Sequence, residues 1–352
     1  MTLDDPTRTT GEWLRGVGPL SDVVISSRIR LARNLADQPF LSTATPTERT
    51  EIYRAVADAF ASTPAGKDSV LIDVESADAI DQEVLVERHL VSRQHVNAEG
   101  SRGVTVSADE TRALMINEED HLRMQALRSG LQLDAVWSDV DRMDDALGEK
   151  LPFAFDRRLG FLTACPTNVG TGIRVSVMLH LPALKITKEI ERVARATRDM
   201  RLAVRGMLGE GTEVVGDLYQ ISNQTTLGKS EAEIIKAFTE QIIPKIVEYE
   251  RTARDSLVQR SPYQLDDRIW RAHGILSNAR RITNEETQAL LSAVRMGIHL
   301  ERFPLLDIPT LNELFLHTQP AHLQKRHGRS LSDDERDIAR AEYLRTRLTG
   351  AG

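Results

Sequence analysis

Two stretches of nine residues, 23–31 and 173–181, alternate apolar and polar side chains as half-buried β-strands do. In the first, Val23, Ile25, Ile29 and Leu31 share one face, and Val24, Ser26, Arg28 and Arg30 share the other. In the second, Ile173, Val175, Val177, Leu179 and Leu181 point inward, and Arg174, Ser176, Met178 and His180 point outward. Any fold that satisfies both stretches carries arginines on the polar face of a sheet.

Helical signals surround these strands. Thr45-Pro46-Thr47-Glu48 has the form of a capping box with proline at the first helical position, and Ile52, Val56 and Phe60 follow on one face, so a helix is expected over 46–62. Across 120–147, Leu133, Val136, Trp137, Val140, Met143 and Leu147 form the stripe of an amphipathic helix. A further helical pattern over 186–204 is broken by Gly206, Gly209 and Gly211, which predict a loop allowing close backbone approach. Ser230 and Glu233 open another helix, with Pro244 as a kink. Beyond residue 255 alternation ends, while Thr283 with Glu286 and Ser332 with Glu335 cap further helices. A chain of 352 residues exceeds what one core usually fills. We therefore divide it into a large domain over 1–250 and a helical domain over 251–352.

Composition narrows the classes. Apolar residues at 41% and charged residues at 28% suit a globular chain with a sizeable core. A net charge of −7 argues against wrapping nucleic acid by bulk positive charge, although 37 of the 45 basic residues are arginine, whose planar fork suits phosphate and carboxylate. The single cysteine, Cys165, rules out an intramolecular disulfide framework, and the polar start lacks a secretory apolar region. With no apolar run long enough to span a bilayer, the expected setting is cytoplasmic. Leu227-Gly228-Lys229-Ser230 fails as a phosphate-binding P-loop because Asn223 stands where its first glycine belongs. His317, His322 and His327 recur every five residues, a spacing that does not share one helix face, so no zinc site is expected there.

Four segments carry chemistry: Ser26-Ser27-Arg28-Ile29-Arg30, Asn117 to Arg123, Cys165 to Arg174, and Arg205-Gly206-Met207-Leu208-Gly209-Glu210. Their order resembles that of the ATP:guanido phosphotransferase, or phosphagen kinase, family. The resemblance implies an α+β fold, with an antiparallel sheet flanked by helices as in the phosphagen-kinase and glutamine-synthetase-like catalytic domains, followed here by the C-terminal helical domain. It also implies ATP as substrate and Mg²⁺ held mainly by the nucleotide.

The chemistry accounts for the residue types. A phosphoryl group in flight carries charge on its equatorial oxygens, so positioned cations stabilise it. Arg28, Arg30, Arg123, Arg174 and Arg205 would supply them. A guanidinium acceptor is a poor nucleophile that carboxylates must align and deprotonate. The resemblance assigns that role to Glu119 and Glu210, with Cys165 assisting. It places His89, Val175, Ser176, Val177 and Met178 at the nucleotide along with the first and last segments. Met178 replaces a histidine usual at that place, although methionine can also pack on an adenine face.

In this sequence the first arginine motif begins at Ser26, without the helical N-terminal domain expected before it in small-guanidine kinases, and about 140 residues follow Glu210. This arrangement, and residues 220–230, resemble the bacterial branch of the family that phosphorylates arginine side chains of proteins. In that branch the mark addresses substrates to a Clp unfoldase–protease in protein quality control and inactivates a heat-shock repressor in the stress response. A zinc-finger activator protein and a homodimer are its implied partners. Arg336-Asp337-Ile338-Ala339-Arg340-Ala341 resembles that branch's allosteric phosphoarginine-binding motif: Arg336 and Arg340 lie one helical turn apart to hold phosphate, and Asp337 can pair with a guanidinium. Two alternatives stay open on sequence: a kinase of free arginine, and a non-catalytic phosphoarginine-binding adaptor in which Met178 marks a decayed nucleotide site.

Overall fold

The structure is a computed structural model that describes residues 10–206 and 215–349. Its frame is an antiparallel sheet built from β1 (Val24–Arg33), β2 (Ser69–Asp73), β3 (Gly103–Ser107), β4 (Arg112–Ile116), β5 (Leu122–Ser129), β8 (Ile173–His180), β9 (Leu202–Gly206) and β10 (Leu218–Asn223). A separate hairpin pairs β6 (Phe155–Asp156) with β7 (Gly160–Phe161). The eight strands of the main sheet lie in the order β2-β3-β4-β5-β1-β8-β10-β9. The two arginine-bearing strands read from sequence, β1 and β8, are therefore central neighbours, with Arg30 opposite Arg174.

One face of the sheet is covered by helices. Ile29 and Leu31 of β1, Val175 and Val177 of β8, and Met124 and Ala126 of β5 pack against Ile52, Val56 and Phe60 of the helix Pro46–Ala61 and Val136, Val140 and Met143 of the helix Leu133–Gly148. Thr45 and Ser230 close their capping boxes as the sequence predicts, each hydroxyl accepting from the backbone N–H three residues on. Pro244 lies in the first turn of the helix Ile243–Arg260, directly after a π-helical turn at Phe238–Ile242.

Three expectations are corrected. Val24 pairs with Leu179 and Ser26 with Met178, so a β-bulge takes up the extra residue. Val24 therefore joins the helix-covered core and Ile25 turns to the opposite face, the reverse of simple alternation. The helix expected over 120–147 begins only at Leu133, because residues 122–129 form β5 between β1 and β4. The pattern over 186–204 resolves into the helices Pro182–Ile186 and Ile190–Asp199 followed by β9, whose edge position shows little alternation.

The other face of the sheet is covered at both ends and open between. Val74, Leu85, Val86, Leu90 and Val91 cover Val104, Val106, Ala113 and Met115 on the β3–β4 side. Around Ile25, Leu127, Met178 and Leu218 the C-terminal helices close a second core with Leu265, Ile269, Leu291, Val294, Leu311 and Leu314. The helix Ile243–Arg260 runs through the position expected for the domain boundary, with Ala253 in the first core and Leu265, in the next helix, in the second. Residues 262–349 are helical with connecting turns, as the capping signals predict.

Candidate active site

Strand register assembles the uncovered polar face. Arg28 stands opposite Leu127 on one side and Ser176 on the other, Arg30 opposite Gln125 and Arg174, and Arg123 opposite Ala32. Met178 faces Gln220, which in turn faces Arg205 across β9, where only the backbone of Arg205 is described. Arg28 donates to Gln220 Oε1 at 2.7 Å, and Arg174 donates to Ser222 Oγ at 3.2 Å. Removal from water, reinforced by Arg123 and Arg174, lowers the Arg28 pKa to about 10. Arg30 is driven well below its ordinary range by the same removal and by Arg28, Arg123 and Arg174, with Glu118 opposing. Like charges held this close create a field suited to a polyanion.

The carboxylate edge is built on the turn between β4 and β5. Asn117 adopts a left-handed backbone (φ 61°) and its amide donates to the carbonyls of Arg49 and Ser101, each at 2.8 Å. Glu118 is turned inward to Arg123 at 2.8 Å and accepts from the Ser92 hydroxyl at 2.5 Å. Burial alone would raise the Glu118 carboxyl, but Arg123, Ser92, the Glu119 N–H and Arg30 hold it down at about 2. Glu119 is turned outward, with its carboxylate 3.5 Å from Arg123 and its side chain 31% exposed. Asp120 is fully buried and accepts from Asn34 Nδ2 at 2.6 Å and from the Ala164 N–H at 2.7 Å. That last bond fastens the Glu119 turn to the loop of Cys165, whose Sγ lies 3.0 Å from the Thr167 hydroxyl. Glu119 and Cys165 therefore belong to adjoining loops at the edge of the arginine face.

At the opposite end, Ser26, Arg28, Leu127, Ser176, Met178 and Gln220 line a narrow cleft together with His89 and Trp13. His89 has a left-handed backbone (φ 59°), and its ring is held neutral: burial, Arg28 and Arg30 lower its pKa to about 3. His89 Nε2, Ser176 Oγ and Arg30 Nε are buried polar atoms without a hydrogen-bond partner. Such atoms cost stability unless a ligand or water satisfies them, so a nucleotide lying from this pocket across the arginines fits the residues present. Among the described residues, no group of three or more His, Cys, Asp or Glu side chains is placed to hold a metal ion.

Comparison with known proteins matches this arrangement. Residues 51–253 match the model of the ATP:guanido phosphotransferase C-terminal catalytic domain, and residues 262–351 match that of the protein-arginine kinase McsB C-terminal domain. The chain belongs to the ATP:guanido phosphotransferase family. It is an enzyme of that class, and the curated relatives below match nearly its whole length. A protein-arginine kinase of Halothermothrix orenii is 46% identical over 350 residues, covering 99% of both chains. One of Bacillus subtilis is 43% identical over 338 residues, covering 96% of this chain and 93% of that protein. Among solved structures, lombricine kinase superposes with a TM-score of 0.58 at 25% identity, covering 70% of each chain.

Within this phosphotransferase, several sequence-assigned residues stand away from the pocket. Ser27, Ile29, Val175 and Val177 occupy the opposite face of β1 and β8 and are buried, because neighbouring strand residues alternate sides. The Ser27 hydroxyl donates instead to the Gly130 carbonyl at 2.7 Å. Gly206 ends β9, and Met207, Leu208, Gly209 and Glu210 lie outside the described residues. Two residues escaped the sequence reading. Glu118 adjoins the assigned Glu119, and only the turn decides which carboxylate points inward; Trp13 belongs to no motif.

The C-terminal motif lies on the helix Asp333–Thr349. Arg336 donates to the Leu331 carbonyl at 2.8 Å and pairs with Asp333. Asp337 contacts Arg281 at 3.5 Å and Arg340 at 2.7 Å. Arg340 is 1% exposed, with its guanidinium donating to the carbonyls of Thr318 at 2.8 Å and Ile282 at 2.9 Å. It thus braces three helices, while the neighbouring Ala341 is buried in the second core.

Proposed function

We propose that this enzyme transfers the γ-phosphoryl group of ATP to a guanidinium nitrogen of arginine side chains in proteins. The convergence of Arg28, Arg30, Arg123 and Arg174 on one sheet face, with Glu119 at its edge, carries the reading. The names of the full-length relatives support the protein acceptor.

In this mechanism the arginines hold the ATP phosphates and stabilise the charge that develops on the transferring group. Glu119, together with Glu210, to which the family resemblance gives the same role, aligns the planar guanidinium and accepts the proton released as the N–P bond forms and the bond to ADP breaks. Cys165 flanks the acceptor. Mg²⁺ arriving with the nucleotide would supply positive charge beside the phosphates, next to that of Arg28, Arg30, Arg123 and Arg174.

The family resemblance supports four extensions: addressing of marked proteins to a Clp unfoldase–protease, inactivation of a heat-shock repressor, stimulation by a zinc-finger partner, and a homodimer. A cytoplasmic setting accords with them; among the described residues, no helix is long and apolar enough to cross a membrane.

The deciding experiment incubates the purified chain with Mg²⁺ and γ-labelled ATP, offering an arginine-rich unfolded protein in one tube and free arginine in another. Acid-labile, base-stable label on the protein, absent in Glu119→Ala and Glu210→Ala, is the expected result. Label on free arginine alone would establish a small-molecule phosphagen kinase instead.

The C-terminal motif extends the proposal to feedback by the product. Arg336, whose side chain is 26% exposed, can leave Asp333 for a phosphate, while Asp337 faces the guanidinium. Arg336→Ala should therefore abolish stimulation by added phosphoarginine-bearing protein while leaving basal phosphorylation in place. An unchanged stimulation curve would overturn this assignment.

A further inference from the structure

The short 3-10 helix Glu12–Leu14 inserts Trp13 into the nucleotide end of the site. Only 3% of Trp13 is exposed, and its ring meets that of His89 edge-on, with centroids 4.4 Å apart and planes at 80°. Leu127 and Met178 supply apolar walls to the same pocket, while Arg28 leads from it to the arginine face. The indole Nε1, like His89 Nε2 and Ser176 Oγ, is buried without a hydrogen-bond partner.

Apolar walls, two aromatic rings and unsatisfied ring nitrogens are the surroundings a flat heteroaromatic ligand completes. The segment is held on both sides of Trp13. Gly11, at φ 69°, lies so close to the Arg88–Glu110 pair that a Cβ there would be 2.5 Å from Glu110 Oε2. The Leu14 carbonyl accepts from Asn312 Nδ2 at 2.5 Å, and the N–H groups of Gly16 and Val17 donate to Ser129 Oγ at 3.0 and 3.2 Å. Such pinning preorganises a contact rather than leaving it to be ordered by the ligand. Trp13 also precedes both segments that the family models match.

We propose that Trp13 is the wall against which the purine base of ATP packs, and that its indole N–H donates to that base. The inference rests on the assignment of this site to ATP and adds a base-recognising residue outside the family's motifs. It also supplies the contact that the missing histidine at Met178 leaves open.

Three tryptophans occur in the chain, so Trp137→Phe with Trp270→Phe leaves Trp13 as sole emitter in the full-length protein. Titration with Mg-ATP should change its emission saturably, and inorganic triphosphate, which lacks the base, should not. No change at ATP concentrations that saturate turnover, or the same change with triphosphate, would overturn the proposal. In parallel, Trp13→Ala should raise the KM for ATP at least tenfold, with kcat and the KM for protein substrate within about threefold of the parent, and Trp13→Phe, which keeps an aromatic wall but loses the N–H donor, should restore only part of the lost affinity. A folded Trp13→Ala with unchanged KM for ATP would overturn it; if that variant fails to fold, the emission titration decides alone. Emission change without any phosphoryl transfer would leave Trp13 in place and remove the kinase reading, and turnover without emission change would do the reverse.

Discussion

Arg30→Met should lower phosphoryl transfer by about a thousandfold or more and, in the same protein, raise the melting temperature of the nucleotide-free chain. The two effects share one cause. Arg30 stands opposite Arg174 across β1 and β8, and Arg28, Arg123 and its own removal from water all disfavour its charge, with Glu118 the opposing influence. Before ATP binds, that arrangement costs folding energy; once the phosphates arrive, the same charges are matched. Methionine preserves length and packing while removing the repulsion. Calorimetry without nucleotide should show a gain of a few degrees, and the thermal upshift that ATP gives the parent should shrink. A variant that loses both activity and nucleotide-free stability would show that Arg30 holds the fold rather than the phosphates.

Glu118→Ala is expected to act in the opposite direction on stability, costing about 2–3 kcal/mol, because it leaves the buried Arg123 with only the longer, 3.5 Å contact to Glu119. Glu118 is 2% and Arg123 11% exposed, so water cannot easily replace the lost partner. The pH dependence follows from the sign of the shift. Glu118 titrates at about 2 in the folded chain against 4.5 ordinarily, so its contribution is fully present above about 4.5 and is lost as pH falls from there towards 2. Acid unfolding of the parent should steepen in that window, and the alanine variant should lose that component. Denaturant titrations at neutral and acid pH check both statements; equal stability of parent and variant at neutral pH would sink the account.

How far the sequence revealed this molecule depended on whether one side of each element faced something unlike the other. β8 was legible because Val175 and Val177 enter the core while Arg174 and Ser176 line the site. β5 was not, since Met124 and Gln125 are both buried and the strand shows no clean polar side. The bulge at Ile25 and Ser26 hid because an extra residue leaves composition untouched and reverses only the phase. The arginines were found by motif order, which also swept in Ser27, Ile29, Val175 and Val177 although their side chains face away. Glu118 and Trp13 needed the turn at Asn117 and the strap at residues 11–17, neither of which local spacing encodes.

Three consecutive residues, Glu87, Arg88 and His89, answer to three different parts of the protein. Glu87 accepts the N–H groups of Ala321 and His322 at the start of the helix Pro320–His327, Arg88 holds Glu110, and His89 lines the pocket shared with Trp13 and Arg28. With Ile25, Leu127 and Met178 sharing a core with the C-terminal helices, the two segments that family models recognise separately pack into one another here. A chain cut between them would bare an oily surface behind the active site and strand a carboxylate that now caps a helix. A C-terminal half transplanted from a distant relative would therefore have to bring its seat on the sheet along with it.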